Sequence, residues 1–387
     1  MDYLKNVTYY KNGALIKGDV SVGDGCALDG DGLFVFPGFA DVHTHLREPG
    51  FSYKETIRTG TRAAARGGYT AICSMPNVEP PPDSMDGLLP QLGLIQGDAA
   101  IRVYPHGTIT RGRKGRALSD MADLAPYVRA FSDDGSGVRD EALMRAAMLK
   151  AKSLGRLIAA HCEDENAPPE ESEWRELRRD LALVRETGCA FHVCHVSKKE
   201  SIELIRAAKA EGLDVSCETA PHYLLLDNTM LKDDGRFKMN PPIGSGEDRA
   251  ALLAALADGT IDMIATDHAP HSAAEKAGGF AKSANGVSGL ECAFSVLYTS
   301  LVLTSVITLP KLIELMSVNP SRRFRLASDP GDLCVFDLDT EFCIDPSEFL
   351  SMGKSTPFEG MRVRGRCLLT LADGEKVWED KEYAKKN

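Results

Sequence analysis

The residues best suited to chemistry begin with two histidines one residue apart, His43 and His45, in the run Asp41-Val42-His43-Thr44-His45. Side chains two apart on a β-strand point the same way, so both imidazoles can face one interior and share a metal ion. Asp41 has the same parity, and we expect its carboxylate to orient one of the imidazoles. Two histidines that merely cap a strand are the alternative for this pair taken alone.

Three further candidate metal ligands follow at the ends of later β-rich runs. His161 ends RLIAAHC, His195 lies in AFHVCHV, and Asp267 lies in DMIATDH. Four imidazoles and a carboxylate that meet at one place would form a site for Zn²⁺ or a similar divalent ion. Because these residues are far apart along the chain, the fold has to bring them together.

A repeat of short β-rich runs and helical stretches provides the elements that position these groups. From about residue 33, eight strand candidates alternate with segments of helical periodicity. This pattern predicts an α/β fold, a (β/α)8 TIM barrel, in which the carboxyl ends of the strands converge on one face. A doubly wound sheet is the alternative, but no GxGxxG turn follows the first strand. The candidates are LFVFPGFADVH, TAICSMP, IRVYPHG, VRAFSDD, RLIAAHC, AFHVCHV, DVSCETAPH and DMIATDH.

The two ends of the chain do not follow the barrel repeat. Residues 1–36 and 330–387 alternate in short runs with many glycines, and both segments indicate β-strands. We expect them to pair as one small β-sheet domain, with residues 37–329 forming the metal-dependent catalytic barrel.

Composition limits the classes of function. The 387 residues carry a formal charge of -11, which disfavours a nucleic-acid binder. No window approaches the ~18 apolar residues of a membrane span, and the N-terminus lacks the apolar stretch of a signal peptide. The ten cysteines are scattered and form no CxxC pair, which indicates reduced thiols. We therefore expect a soluble, cytoplasmic protein that binds neither nucleic acid nor a membrane.

Because its candidate metal ligands lie at the ends of predicted strands, the chain resembles the amidohydrolase superfamily. The pattern there is HxH on strand one, one histidine each on strands five and six, and an aspartate on strand eight. Many binuclear members carry a carboxylated lysine on strand four, whereas PYVRAFSDDGSGV contains no lysine. It offers Asp133 and Asp134, and we favour Asp134 as a carboxylate bridge between two cations; an ordinary acidic turn is the alternative. The resemblance implies one or two Zn²⁺ ions per subunit.

The resemblance narrows in DVHTHLREPG at 41–50, which is similar to the signature of the bacterial type I dihydroorotases. Further matches are SMPN at 74–77, HCED at 161–164, ETAPHYLLL at 218–226 and ATDHAPHS at 265–272. The implied activity is the reversible cyclisation of N-carbamoyl-L-aspartate to L-dihydroorotate with loss of water, a step of de novo pyrimidine (UMP) biosynthesis. One departure is the spacing from His161 to His195, which is shorter than the family leads us to expect.

The same resemblance implies a role for each candidate residue. His43 and His45 would hold the more buried ion, Asp134 would bridge, and the other two histidines would hold a second ion. Asp267 would touch the first ion and act as the acid/base that carries the proton to the departing ring nitrogen. The metal ligands would be His43, His45, Asp134, His161, His195 and Asp267. The substrate-binding residues would be Arg47, Asn77, Asn240, His271 and the backbone of Asn285 and Gly286.

Arg47 suits a substrate with a carboxylate that stays unchanged in the reaction. A guanidinium can hold a carboxylate by two parallel N–H bonds, which a lysine could not copy. Arg47 shares strand-face parity with His43 and His45, so we expect it to face the same pocket; a surface arginine is the alternative. Residues 272–283, SAAEKAGGFAKS, predict either a mobile loop over the site or an inert surface loop.

Two other functions stay open. The first is another cyclic amidohydrolase, an allantoinase or hydantoinase, which the absent strand-four lysine and the presence of Arg47 disfavour. The second is a non-catalytic dihydroorotase-like partner of a transcarbamoylase, which the complete ligand set disfavours. The resemblance further predicts a small-molecule substrate, a homodimer and an association with aspartate transcarbamoylase.

Overall fold

The computed structural model describes residues 2–23 and 30–384 of the chain. Three strands come first and eight short strands follow, each of the eight leading into a helical segment. The first three are β1 (Asp2–Lys11), β2 (Ala14–Gly23) and β3 (Leu33–Pro37). The eight are β4 (Phe39–Thr44), β5 (Tyr69–Ser74), β6 (Arg102–Pro105), β7 (Ala130–Phe131), β8 (Leu157–Ala160), β9 (Phe191–Val193), β10 (Val215–Thr219) and β11 (Met263–Ile264).

The eight strands form a closed parallel barrel, as the repeat predicts. Strands β4 to β6 make one sheet and β7 to β11 make another. Two single bridges, Gly107 with Phe131 and Thr44 with His268, join the sheets at both edges. Nearly all strand residues are buried, because their side chains face either the barrel interior or the surrounding helices.

The first strand candidate proves to be two strands, which the sequence did not reveal. Residues 33–37 belong to β3 in a separate sheet, and the barrel strand β4 begins at Phe39. Gly38 lies between them, and a Cβ there would collide with the side chain of Thr70. The chain therefore passes from one sheet to the other at a residue without a side chain.

Strands from both ends of the chain form one six-stranded sheet. The C-terminal strands are β12 (Leu333–Cys343), β13 (Arg362–Ala372) and β14 (Glu375–Glu379), and the sheet order is β14-β13-β12-β3-β1-β2. Its own apolar cluster includes Val35 and Val335, which pair across β3 and β12. This shared sheet supports the proposed division into a terminal β domain, residues 1–36 and 330–387, and a barrel, residues 37–329.

The helices cover the barrel with one apolar face each. In the helix from Glu141 to Ser153, for example, Met144, Ala147, Met148 and Ala151 are buried, which is the spacing of a single face. The helices are α1 (Ile57–Arg66), α2 (Met85–Asp98), α3 (Met121–Leu124), α4 (Glu141–Ser153), α5 (Pro169–Thr187), α6 (Lys199–Ala210), α7 (Pro221–Leu225), α8 (Gly246–Asp258), α9 (Ala273–Lys276), α10 (Gly279–Lys282), α11 (Ala293–Leu297), α12 (Leu309–Ile313), α13 (Asn319–Phe324) and α14 (Lys381–Ala384).

The nine cysteines in the described ranges form no disulfide, and seven of them are buried. Burial raises the pKa of such thiols, for Cys194 to about 12, so they are protonated and unreactive. The tenth, Cys26, lies outside the described residues. None of the helices in the described part of the chain combines the length and the apolar character that crossing a membrane requires.

Candidate metal centre

All six predicted metal ligands meet at the carboxyl-terminal mouth of the barrel. His43 lies on β4, and the others lie at or just after the ends of β4, β7, β8, β9 and β11. Each is at most 6% exposed. The residues are His43, His45, Asp134, His161, His195 and Asp267.

Asp134 lies at the centre of the four imidazoles. Its Oδ1 is 3.4 Å from His43 Nε2, 3.5 Å from His161 Nδ1 and 3.6 Å from His195 Nε2. Its Oδ2 is 3.6 Å from His45 Nε2. These separations exceed those of good hydrogen bonds. They are close to the ~3.3 Å between ligand atoms that each lie ~2.0–2.1 Å from a tetrahedral ion.

The ligands divide into two groups that share Asp134. Asp267 Oδ1 lies 3.0 Å from His45 Nε2 and 3.5 Å from His43 Nε2, so it belongs with the first pair of histidines. His161 Nδ1 and His195 Nε2 lie 2.8 Å apart and form the second group. Asp134 is thus the carboxylate that both groups share, and each group offers enough ligand atoms to hold a cation.

Buried polar atoms without partners indicate that these residues fit a cation. His43 Nε2 and Asp134 Oδ1 are fully buried and make no hydrogen bond within the described structure. Such a buried atom costs about 1–3 kcal/mol when it is left unsatisfied. A divalent ion between the two would satisfy both, and imidazole with carboxylate is a donor set that such ions accept. The residues therefore fit a metal centre.

The charges of the cluster are strongly coupled. Burial lowers the pKa of His161, but Asp134 and Glu163 outweigh this and raise it to about 10. Burial raises the pKa of Asp267, but His43 and His45 outweigh this and lower it to about 2. The carboxylates are thus ionised, and the field that holds a proton on His161 also attracts a cation in its place.

A buried glutamate that the sequence analysis missed orients His43. Glu218 Oε1 lies 2.6 Å from His43 Nδ1, and Oε2 lies 3.0 Å from His192 Nε2. The other ring nitrogen of His192 bonds Ser216 Oγ at 2.8 Å. Because Glu218 accepts the proton of Nδ1, Nε2 of His43 is left to face Asp134. Glu218 lies near the end of β10, just as the metal ligands lie near the ends of their strands. This position was the signal that the sequence offered for its role.

The expectation for Asp41 is wrong. Its carboxylate accepts hydrogen bonds from the backbone N–H groups of His43 and Thr266, at 3.0 Å each, and does not reach an imidazole. The choice of Asp134 over Asp133 agrees with the geometry. Asp133 accepts from the backbone of Ile109 at 2.8 Å and from Thr110, away from the cluster.

Glu218→Gln is expected to weaken metal binding by about 10- to 100-fold, because loss of the charge weakens the hold on His43 and leaves His192 poorly matched. Competition with a chromophoric chelator measures the affinity. Glu291→Gln is the matched control, since Glu291 is also a buried glutamate but bonds the backbone of Leu350 and Ser351, away from the cluster. An equal loss in both variants would contradict the assigned role of Glu218.

The metal ligands open into a cavity of about 190 Å³. It is lined by all six predicted substrate-binding residues: Arg47, Asn77, Asn240, His271, Asn285 and Gly286. The guanidinium of Arg47 donates from Nε to the Pro270 carbonyl at 3.2 Å, and its Nη2 lies 3.3 Å from His271 Nε2. Arg47 thus faces the pocket as expected, although it lies beyond the end of β4, where strand parity no longer sets the direction of its side chain.

Several of these residues already have partners in this structure. Asn77 Oδ1 lies 2.8 Å from His45 Nδ1 and so orients that imidazole. Asn240 Nδ2 donates to Glu163 Oε2 at 3.1 Å. The backbone N–H of Gly286 donates to the Lys238 carbonyl at 3.0 Å, so this expected donor to substrate is engaged. The carbonyl of Asn285 accepts from His271 at 2.7 Å.

Three of the predicted site residues have a left-handed backbone. The φ angles are 61° at Arg47, 34° at His195 and 47° at Asp267. Such angles cost a non-glycine residue about 1–3 kcal/mol, and they persist where the surroundings impose them. At the ends of three barrel strands, they turn the side chains into the mouth.

Residues 272–283 contain α9 and α10 and lie beside the cavity. Lys276 Nζ donates to the carbonyls of Ala284 and Gly286, at 2.7 Å each, and Lys54 pairs with Glu275 at 2.8 Å. These bonds tie the segment to the rim of the cavity. Its closure over a substrate stays a prediction.

Comparison with known proteins gives consistent results. A family model described as dihydro-orotase-like matches residues 32–172. The dihydroorotase of Fusobacterium nucleatum is 42% identical over 413 residues, covering 98% of this chain and 97% of that protein. The dihydroorotase of Brevibacillus brevis is 45% identical over 382 residues, covering 91% and 90%. Among solved structures, the L-hydantoinase (dihydropyrimidinase) of Arthrobacter aurescens superposes with a TM-score of 0.86 at 25% identity, covering 97% and 96%.

Proposed function

The chain belongs to the dihydroorotase family, and from this premise we propose that its metal cluster and cavity carry out the family's reaction. That reaction is the reversible closure of N-carbamoyl-L-aspartate to L-dihydroorotate with loss of water, a step of pyrimidine biosynthesis. The chain is a cyclic amidohydrolase with a small-molecule substrate. The supporting observation is that one guanidinium, Arg47, lines the same cavity as five of the six metal ligands, all but the more deeply buried His43.

Arg47 supplies what the substrate needs besides the metal centre. L-Dihydroorotate carries a carboxylate that does not react, and a buried guanidinium can hold it by two N–H bonds. The hydrogen bond from Nε to the Pro270 carbonyl already orients this group. Asn240 and His271 line the same cavity, and the amide of Asn240 has a second N–H that can donate a further hydrogen bond. In the proposed binding mode, the ring amide of the substrate faces Asp267, which lines the same cavity as Arg47.

Asp267 is the proposed acid/base. When bound, divalent ions in such a site supply a Lewis acid and a water nucleophile at neutral pH. The low pKa of Asp267, about 2 with His43 and His45 beside it, keeps the carboxylate ionised at neutral pH, the form that a base requires. In hydrolysis it takes the proton of the attacking water and gives it to the departing ring nitrogen. In cyclisation it takes the proton of the carbamoyl nitrogen.

We propose Zn²⁺ as the metal, with one or two ions per subunit. Four imidazoles and two carboxylates around a shared Asp134 suit this ion. A second arrangement, of His43, Cys194 and Glu218, fits less well. Burial raises the pKa of the Cys194 thiol to about 12, so it stays protonated. His43 Nδ1 also already bonds Glu218.

A substrate comparison tests the proposed reaction against that of a hydantoinase or allantoinase. The purified protein should turn over L-dihydroorotate at least tenfold faster than allantoin or a 5-substituted hydantoin under equal conditions. The hydantoinase structures share the fold, so the fold alone does not decide between the reactions. The proposal rests instead on Asp134 and Arg47, which line the cavity of this chain. A preference for the hydantoin would overturn the proposal, and bound zinc without any turnover would favour a non-catalytic partner.

Arg47→Lys is expected to reduce kcat/KM for L-dihydroorotate by about one to two orders of magnitude while the metal content stays unchanged. A lysine offers a point charge in place of two parallel N–H bonds. The loss of a hydrogen bond to a charged group is worth about 1.5–3 kcal/mol. Steady-state kinetics with metal analysis measures both quantities. Arg62→Lys, the same change at an exposed position of α1, is the control, and an unchanged kcat/KM in Arg47→Lys would contradict the assignment.

Three further proposals concern the setting of the enzyme: a homodimer, an association with an aspartate transcarbamoylase, and a cytoplasmic location. The support is family membership. Light scattering of the purified chain, alone and with the transcarbamoylase of the same organism, tests the first two.

A further inference from the structure

The opposite end of the barrel from the metal centre carries a second polar cavity, of about 220 Å³. It lies where β7, β8, β9 and β10 begin, beside the ends of α4, α5 and α13. Five basic side chains line it, and among the described lining residues Asp214 is the one carboxylate. The basic residues are Arg129, Lys152, Arg156, Arg323 and Arg325.

Most of this positive charge has no carboxylate to balance it. In the described ranges, Arg323 pairs with Asp214, whereas Arg129, Arg156 and Arg325 form no ion pair. Other arginines on the same helical layer do pair, as Arg145 does with Glu186 at 2.8 Å. The chain has 56 acidic residues against 45 Lys and Arg, so a shortage of carboxylates does not explain the cluster.

The positions of the arginines suit recognition of an anion. Arg156 is held by the Ala125 carbonyl at 2.8 Å from its Nε, and Arg129 stacks over the Tyr104 ring, 4.5 Å from its centroid. Arg323 Nε is buried and has no hydrogen-bond partner in the described structure. Burial lowers the pKa of Arg156, and the like charges of Arg129 and Arg325 lower it further. An anion among them would relieve this repulsion.

Helix ends offer a competing explanation, because cations are favoured near the carboxyl ends of helices. Lys152 is accounted for in this way, since its Nζ donates to the Thr187 carbonyl at the end of α5 at 2.7 Å. Arg325, as the C-cap of α13, and Arg323, in the last turn of that helix, are accounted for in the same way, whereas Arg129 precedes β7 and is not at a helix end. Helix dipoles therefore leave the guanidinium of Arg129 unexplained, and they do not account for the lack of a partner at Arg323 Nε.

We propose that this cavity binds a phosphoryl group, either free phosphate or the phosphate of a nucleotide. Several guanidiniums around a concave site match the geometry and charge of a phosphate, which accepts paired N–H bonds from each. The volume of about 220 Å³ suits a small phosphorylated molecule and is too small for a folded segment of another protein. The site is at the far end of the barrel from the cluster of His and Asp residues, so its occupant is separate from the substrate.

Isothermal titration calorimetry with inorganic phosphate and with adenosine 5′-monophosphate tests the proposal on the metal-loaded enzyme. We expect one binding event that weakens at least tenfold in Arg156→Gln and in Arg325→Gln. Arg325 is exposed, so its replacement does not threaten folding. Arg145→Gln on α4 is the matched control, with the same loss of charge and unchanged binding expected. Basal turnover of L-dihydroorotate should be the same in all three variants.

The two probes separate the sources of the phosphoryl group. Tenfold tighter binding of the monophosphate than of phosphate would identify a nucleotide site, and equal affinities would identify a phosphate site. Absence of binding at millimolar concentration would overturn the proposal. Binding that persists in both cavity variants would place the anion outside this cavity and would overturn it as well, as would an equal loss in Arg145→Gln.

Discussion

Replacement of Asp267 by alanine is expected to leave the metal in place and to reduce turnover of L-dihydroorotate by about 10²- to 10⁴-fold. Five other ligands remain around the centre, so the cation keeps most of its coordination. What is lost is the group that accepts the proton of the attacking water and returns it to the ring nitrogen. The loss should be similar for hydrolysis and for cyclisation, because both directions use the same proton carrier.

Steady-state rates in both directions, with metal analysis of the same sample, measure this effect. Asp267→Asn serves as the companion variant, since an amide preserves the shape of the side chain but cannot accept the proton. Both variants should be comparably slow. Near wild-type turnover in either one would remove Asp267 from its assigned role, and loss of the metal in both would show that it acts mainly as a ligand.

His43→Ala is expected to abolish both metal binding and turnover. His43 lies between Asp134 and Glu218, and its Nε2 is the buried atom that a cation would satisfy. Without it, the first group of ligands is reduced to His45 and the two aspartates, and Glu218 loses one of its two histidine partners. Metal content after dialysis and the rate with L-dihydroorotate are the measurements.

His271→Ala is the matched control for that variant. His271 lines the same cavity but contacts Arg47 and the Asn285 carbonyl, not Asp134. It should retain the metal and show a raised KM with a folded far-UV spectrum. Retention of a full metal complement in His43→Ala would contradict the assigned centre, and so would metal loss in His271→Ala.

The sequence allowed the barrel and the ligand set to be predicted because both leave local signals. Buried parallel strands are short apolar runs, and the chemistry at their ends concentrates histidine and aspartate there. The split between β3 and β4 at Gly38 left no such signal, because both strands are apolar and directly adjoining. Which sheet a strand joins depends on partners such as Val335, some 300 residues away in sequence.

The residues that orient the ligands were harder to predict for a similar reason. Glu218 contacts His43 across 175 positions, and no spacing rule connects them. Asp41 has the parity of His43, but its carboxylate is taken by backbone N–H groups that lie closer than the imidazole. Left-handed backbone at Arg47 and Asp267 is likewise imposed by tertiary packing and not by residue type.

Metal content and L-dihydroorotate turnover, determined on one preparation before and after removal and return of zinc, test the proposed centre most directly. We expect one to two zinc ions per chain, loss of turnover when a chelator removes them, and recovery when Zn²⁺ is restored. Protein that hydrolyses L-dihydroorotate equally well with no metal bound would contradict the proposed chemistry of the cluster around Asp134.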